Sequence, residues 1–313
     1  MKTIQVQAPG LLTTVQDLGR LGFGPAGVSP SGAADPISLR LGNRLVANPE
    51  TAAALEMTLL GGTFVFPQGA ILALSGSDFG ALLDDVRLHP GAAIQVRPGQ
   101  TLRVGPTRSG ARCYLCVQGG IAVEPFLASA STHILSGLGG FAGRPLRAGD
   151  VLSLGPASQR FRKRTIAPEA AENFSRRKIL RVTPGPQADW FSGSSLRAFY
   201  ACTCRVGEQS NRLGLRLEGA AIPQRTTREM ISEGVSLGAI QVPAGGSPII
   251  LFVEQQTTGG YPKIANVISA DLHRVGQLRP RDELGFEPVT FDQARALLIA
   301  QEKLLSSPEL ILE

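Results

Sequence analysis

The chain has 313 residues, 43% of them hydrophobic and 18% charged, so it carries enough apolar mass for a packed core and is not a disordered polypeptide. That length suits two domains of ordinary size, and 37 Gly with 22 Pro point to short strands joined by turns. The net charge of +6 is concentrated: residues 156–178 hold seven basic side chains (Arg160, Arg162, Lys163, Arg164, Arg176, Arg177, Lys178) and two acidic ones (Glu169, Glu172), which leaves +1 for the rest and argues against a basic nucleic-acid face.

The amino terminus carries Lys2 but no apolar stretch behind it, so no export signal is expected. No apolar run approaches the ~18 residues of a membrane span, and a cytoplasmic protein is the expectation. Residues 3–7 alternate with period two and read as a strand. The run TTVQDLGR (13–20) then offers Gln16, Asp17 and Arg20. A helix is predicted from Asp35, an N-cap followed by Pro36 at the first helical position, with Ile37, Leu41 and Leu45 on one face and a stop at Asn48 and Pro49. Strand patterns follow at 72–79, 93–96 and in RCYLCVQ, where the odd offset sends Cys113 and Cys116 to opposite faces. These two, with Cys202 and Cys204, read as reduced thiols filling space, and no metal site is expected.

The run STHILSGLGGFAGR (131–144) holds Gly137, Gly139, Gly140 and Gly143, whose successive N–H groups would suit an anion, with Arg144 as counter-charge. No Gly-Lys-Ser/Thr follows it, and a turn and strand follow rather than a helix, so it is neither a Walker loop nor a dinucleotide fingerprint. His133, one of three histidines, is a candidate acid or base. Arg–carboxylate pairing is the plain reading of three further runs: 13–20, the SGSD at 75–78, and NRLGLRLEG (211–219) together with Glu233.

Residues 248–269 carry the densest functional signal. An apolar strand delivers Gln255, Gln256, Thr257 and Thr258 to a turn at Gly259 and Gly260, followed by Tyr261 and Lys263. Amides and hydroxyls after a core strand suit a small amide or carboxylate substrate. Against twenty-six arginines the chain has five lysines, and Lys263 is the one outside the termini and the basic segment. A compact ammonium presented from this turn is therefore a catalytic candidate.

The two halves echo one another. Leu146, Arg147, Asp150 and Leu152 match Leu278, Arg279, Asp282 and Leu284 at a single offset, 72–79 resembles 215–222, and each half has a strand running into Gly-Gly. A duplicated β-rich unit follows, with lobes at 1–155 and 179–289, a basic linker at 156–178, and a helical tail at 290–313 opened by a Thr290/Gln293 capping box and carrying Leu297, Leu298, Leu304 and Leu305.

TTVQDLGR, STHILSGLGGFAGR, NRLGLRLEG, ISEGVSLGAIQVP and QQTTGGYPKIANVISADL together resemble the carboxyltransferase-domain family, which includes the 5-oxoprolinase C subunit, KipA proteins and allophanate hydrolase subunit 2. The resemblance implies a mostly-β fold of two related cyclophilin-like β-barrel domains with few helices. It implies partners, the 5-oxoprolinase A subunit and a KipI-like B subunit, and ATP-dependent opening of 5-oxoproline to glutamate, with ATP used by the complex. Two alternatives accompany it: carboxyl transfer from biotin on a separate carrier to a urea-like amide, and a non-catalytic regulator binding a KipI-like protein. The chain departs from the family pattern at His133 (Tyr expected), Asn211 (Asp expected), Arg281 (Gly expected), and at Gly24, Pro25 and Ala26, which stand where a polar His-containing step is expected.

Overall fold

A computed structural model describes residues 2–157, 160–174, 178–219, 221–225 and 229–313. The fold is mostly β, and the chain divides into two compact units: Met1–Arg20, Ser31–Ser175 and Leu304–Glu313 form the first, Leu21–Pro30 and Arg176–Lys303 the second. Among the described residues no helix is long and apolar enough to cross a membrane.

In the first unit the strands form a seven-stranded and a five-stranded sheet. Strand Arg112–Val117 shows how the pleat sorts side chains: Cys113, Leu115 and Val117 enter one apolar cluster, with Ile4, Phe64 and Leu152, while Tyr114 and Cys116 enter another, with Leu39 and Leu45. Helix Pro36–Leu45 begins where expected, since Asp35 accepts from the Ser38 N–H at 3.0 Å, and its Ile37 and Leu41 are buried against Ala167, Leu305 and Leu310.

In the second unit seven strands close into a barrel, in which Ile179–Pro184 runs parallel to Glu283–Pro288 and antiparallel to Lys263–Val267. Closure leaves no free edge. Helix Gly193–Ala201 was not legible in the sequence; it starts on the Ser192 hydroxyl and buries Phe199, which stacks on Phe286 with ring centroids 4.5 Å apart.

Five strands repeat between the units. In the first, Val151–Leu154, Thr3–Ala8, Thr63–Val65, Thr101–Arg103 and Leu82–Leu83 lie side by side. In the second, Glu283–Pro288, Cys204–Val206, Gly214–Glu218, Ile249–Leu251 and Ala239–Gln241 do so in the same chain order and all antiparallel. The echo at Leu146 and Leu278 is a shared turn. Arg147 N–H donates to the Asp150 carboxylate at 2.7 Å and Val6 N–H to Asp150 O at 2.9 Å; Arg279 N–H donates to Asp282 at 2.7 Å and Val206 N–H to Asp282 O at 2.9 Å. Gly149 holds the left-handed position of that turn at φ +91°, and Arg281 holds it at φ +71°, so the glycine expected at 281 is one the backbone favours. The echo between 72–79 and 215–222 does not survive: strand Ala70–Gly76 belongs to the five-stranded sheet, whereas Gly214–Glu218 occupies the place of Thr63–Val65.

The basic segment differs from a bare tether. Thr165–Ile166 pairs with Ile311–Leu312, Ile166 N–H donates to Gly91 O at 2.9 Å, Ala167 is buried, and Arg162 and Arg164 both reach Glu313. Apolar residues between the charges anchor it to the first unit. Arg176 and Arg177 lie outside the described residues. The tail helix, Phe291–Ser306, has its capping box, with Thr290 N–H to Gln293 Oε1 at 2.8 Å and Gln293 N–H to Thr290 Oγ1 at 3.2 Å. Its leucine stripe is only partly used: Leu305 is buried, Leu297, Leu298 and Leu304 half-buried, and Phe291 and Ile299 exposed.

Asp271, fully buried in the second unit, receives Arg181 at 2.6 and 3.0 Å and the Arg181 N–H at 2.9 Å, with Arg274 at 3.2 Å. Burial pushes its carboxyl up, but the Arg181 hydrogen bonds outweigh that and hold it below the usual carboxylate range. A depressed folded-state value contributes stability that is present above the unfolded value, near pH 4, and is lost as pH falls toward the folded one. Asp271→Asn is therefore expected to flatten the acid side of a stability profile below about pH 4. An unchanged acid limb in urea melts would show that Asp271 does not carry it.

Candidate functional site

In the first unit the glycine-rich run is folded upon itself. Asp17 accepts from four donors: Ser131 Oγ at 2.5 Å, the Ala130 N–H at 2.6 Å, and Ser129 Oγ and the Gly19 N–H at 2.7 Å each. Gln16 Nε2 donates to Thr132 O at 3.2 Å, and the buried Arg20 guanidinium donates to Ser131 O and lies over the Phe126 ring. An Arg–carboxylate pair was the expectation for 13–20; the carboxylate instead binds hydroxyls and N–H groups. At 75–78 the expectation holds, with Asp78 paired to Arg87 at 2.8 Å.

Gly139 and Gly140 press against Ser131 and Thr132, and a Cβ on Gly143, at φ +67°, would fall 1.9 Å from Gly137 O. The Gly137 and Gly143 N–H groups are spent on Ile134 O and Gly139 O at 3.3 and 2.9 Å. Arg144 is not a free counter-charge: it grips Asp150 through two hydrogen bonds of 2.8 Å and lies over Phe141. His133 is buried, with Nδ1 accepting from the Ser136 N–H at 3.2 Å. Close packing and left-handed backbone account for these glycines, and the N–H groups of Gly137 and Gly143 are turned into the loop itself.

The second unit concentrates the other candidates. Strand Lys263–Val267 carries Lys263 into the barrel wall, where it is 3% exposed. A loop cation was the sequence expectation; the apolar run that follows it, Ile264 and Ala265, draws it into the sheet instead. Its ammonium pairs with Glu233, which also accepts from Gln187 Nε2 at 2.9 Å, while Gln187 Oε1 accepts the Lys263 N–H at 3.1 Å. The hydrogen bonds from Lys263 and then Gln187 hold the Glu233 carboxyl below its ordinary range. Strand Thr258–Gly259 pairs with Glu233–Gly234, and Gly259 leaves room for the Gln241 and Gln256 amides, which would meet a Cβ at 2.6 and 2.8 Å.

Beside these lies an open recess of about 210 Å³, lined by Gln209, Asn211, Arg216, Gln241, Gln256 and Tyr261 over an apolar floor that includes Leu213 and Leu251. It brings Gln256 and Tyr261 together with Asn211 and Arg216 of the other flagged run. Gln255 is turned inward, its Nε2 donating to Val235 O at 3.2 Å, and Thr257 and Gly260 flank strand Thr258–Gly259 without lining the recess. Gln241 was missed, because a glutamine in an alternating strand carries no mark of function. It is 1% exposed, and its Nε2 has no hydrogen-bond partner among the described residues. A buried donor left open toward a recess is a place for a ligand oxygen. Among the described residues the lining has one cation and no acid, so the site favours a small anion with amide character. Arg212, from the same run as Arg216, is buried on Glu254 at 2.5 Å, an Arg–carboxylate pair, and does not line the recess.

Residues 26–288 match the family described as carboxyltransferase domain, subdomain A and B. The chain is 37% identical over 291 residues to the 5-oxoprolinase C subunit of Escherichia coli (strain K12), covering 93% of each chain. It is 37% identical over 284 residues to the Haemophilus influenzae protein of that name, covering 91% of this chain and 90% of that one. Among solved structures, the K. lactis urea amidolyase superposes with a TM-score of 0.91 at 33% identity, covering 99% of this chain and 21% of that one.

Proposed function

Since the chain belongs to the carboxyltransferase-domain family, subdomains A and B, we propose that it is the C subunit of an ATP-dependent 5-oxoprolinase, which with A and B subunits opens 5-oxoproline to glutamate. Full-length similarity to two proteins named as 5-oxoprolinase C subunits supports this reading. The observation that carries it at the level of chemistry is the recess. 5-Oxoproline joins a ring amide to a carboxylate: Arg216 meets the carboxylate, the Gln241 Nε2 donates to the ring oxygen, and the Gln256 side-chain oxygen accepts from the ring N–H.

ATP would supply activation of the ring amide by phosphorylating its oxygen. The charged groups here do not fit a triphosphate: Arg144 is held by Asp150, and the recess of about 210 Å³ offers Arg216 as its one cation among the described residues. We therefore assign ATP binding to a partner protein of the complex and derive no step through it. What this chain's residues do is bind and orient the amide and hold charge at its oxygens.

The urea amidolyase likeness supports a second reading, carboxyl transfer from biotin on a separate carrier to a urea-like amide. Arg216 separates the two, because its charge finds a partner on 5-oxoproline and none on neutral urea. In the complex assembled with A and B subunits and assayed for ATP-dependent glutamate release, Arg216→Ala is expected to raise KM for 5-oxoproline about 10- to 100-fold, the worth of a charge-assisted hydrogen bond. It should leave binding of a neutral five-membered lactam unchanged. An unaltered KM, or no glutamate release by the wild-type complex, overturns the assignment.

A further inference from the structure

The sulfurs of Cys202 and Cys204 lie 2.9 Å apart. Cys202 ends helix Gly193–Ala201 in an extended conformation, φ −70° and ψ 133°, so that Thr203 turns away and the two thiols fall on one side. Cys204 opens strand Cys204–Val206, is paired with Leu284, and is buried, whereas Cys202 is partly accessible. Gly219 gives the pair its room, since a Cβ there would stand 3.2 Å from Cys202 Sγ and 3.7 Å from Cys204 Sγ. The other two thiols differ: Cys113 and Cys116 are both buried and enter separate clusters.

We propose that Cys202 and Cys204 form a reversible disulfide, a redox site that ties the end of the helix to the first repeated strand of the barrel. The two sulfurs, 2.9 Å apart, need approach by only about 0.9 Å to reach the ~2.05 Å of a disulfide bond. The oxidant is a small-molecule disulfide. The Cys202 thiolate attacks one of its sulfurs, forming a mixed disulfide and releasing one thiol. Cys204 then attacks the Cys202 sulfur, its proton passes to the departing thiolate, and a second thiol leaves. Two protein S–H bonds become one S–S bond, and the oxidant's S–S bond becomes two thiols. The order follows from access, and burial, which pushes the Cys204 thiol up to about 12, keeps that sulfur from reacting first.

The test uses the full chain, reduced and then incubated with oxidised glutathione, quenched in acid, unfolded and alkylated. Mass spectrometry is expected to show loss of two hydrogens from the intact chain, Cys202 and Cys204 unlabelled and joined, Cys113 and Cys116 labelled, and full reversal by dithiothreitol. Cys204→Ser should stop at glutathionylated Cys202, and Cys202→Ser should stay unmodified, with thermal melts confirming that both are folded. A wild-type chain that stops at glutathionylated Cys202, or remains fully labelled while a free peptide thiol in the same tube is oxidised, overturns the proposal; this wild-type result decides without the variants.

Discussion

Replacing Lys263 by Met is expected to lower the glutamate-releasing rate of the assembled complex by about 10²-fold, the usual loss on removing one donor to developing negative charge. The fold should hardly notice. Lys263 is 3% exposed, and a Met of similar length fills its place without a buried charge; such exchanges of a buried ion for an apolar side chain are often neutral. Glu233, its partner, is 46% exposed on its side chain and returns to water at little cost. Lys263→Ala adds a cavity, so it should lose the same activity and in addition melt earlier. Lys263→Arg keeps the charge but not the compact ammonium, and it must fit a wider fork beside Glu233 and Gln187; a partial loss is expected. Steady-state kinetics separate two roles. A fall in kcat with KM unchanged assigns Lys263 to charge at the reacting oxygen. A rise in KM alone assigns it to positioning its strand neighbour Gln241. Wild-type kinetics in Lys263→Met would remove it from the site.

Asp17→Ala is expected to destabilise the chain by about 3 kcal/mol or more. Two serine hydroxyls and the N–H groups of Gly19 and Ala130 converge on this carboxylate, and each buried donor left without an acceptor costs roughly 1–3 kcal/mol. Asp17→Asn keeps one acceptor oxygen but points an NH₂ at some of these donors, so an intermediate loss follows. Against a total stability of about 5–15 kcal/mol this is a large share. The urea midpoint at unchanged slope measures it, and a shift worth under about 1 kcal/mol would show that the 129–144 loop folds without the knot. If the loop serves the reaction only as scaffold, activity of the folded fraction should persist.

Much of the architecture is local and was therefore readable in the chain. The helix at Asp35 and Pro36 is set by its own cap, the tail helix by Thr290 and Gln293, and the strands by alternation that sends Cys113 and Cys116 to opposite sides. The duplication showed at one turn, because in both units its Asp carboxylate binds an N–H three residues before it. The motifs that mark the carboxyltransferase domain were likewise present as contiguous runs.

What each flagged side chain does was decided in three dimensions. Arg144 looked like a counter-charge for an anion until Asp150, six residues on, proved to hold both of its arms. Lys263 looked like a loop cation, but its strand buries it and brings Glu233 to it from thirty residues away. Gln241, Gln256 and the run that holds Asn211 and Arg216 come from three separate segments, and pairing of Ala239–Gln241 and Gly214–Glu218 on either side of Ile249–Leu251 places them around one recess. A sequence states which groups are available and the local geometry they prefer. Pairing across a sheet decides which charges neutralise one another and which donor is left open for a ligand, because burial makes every unpaired polar group costly.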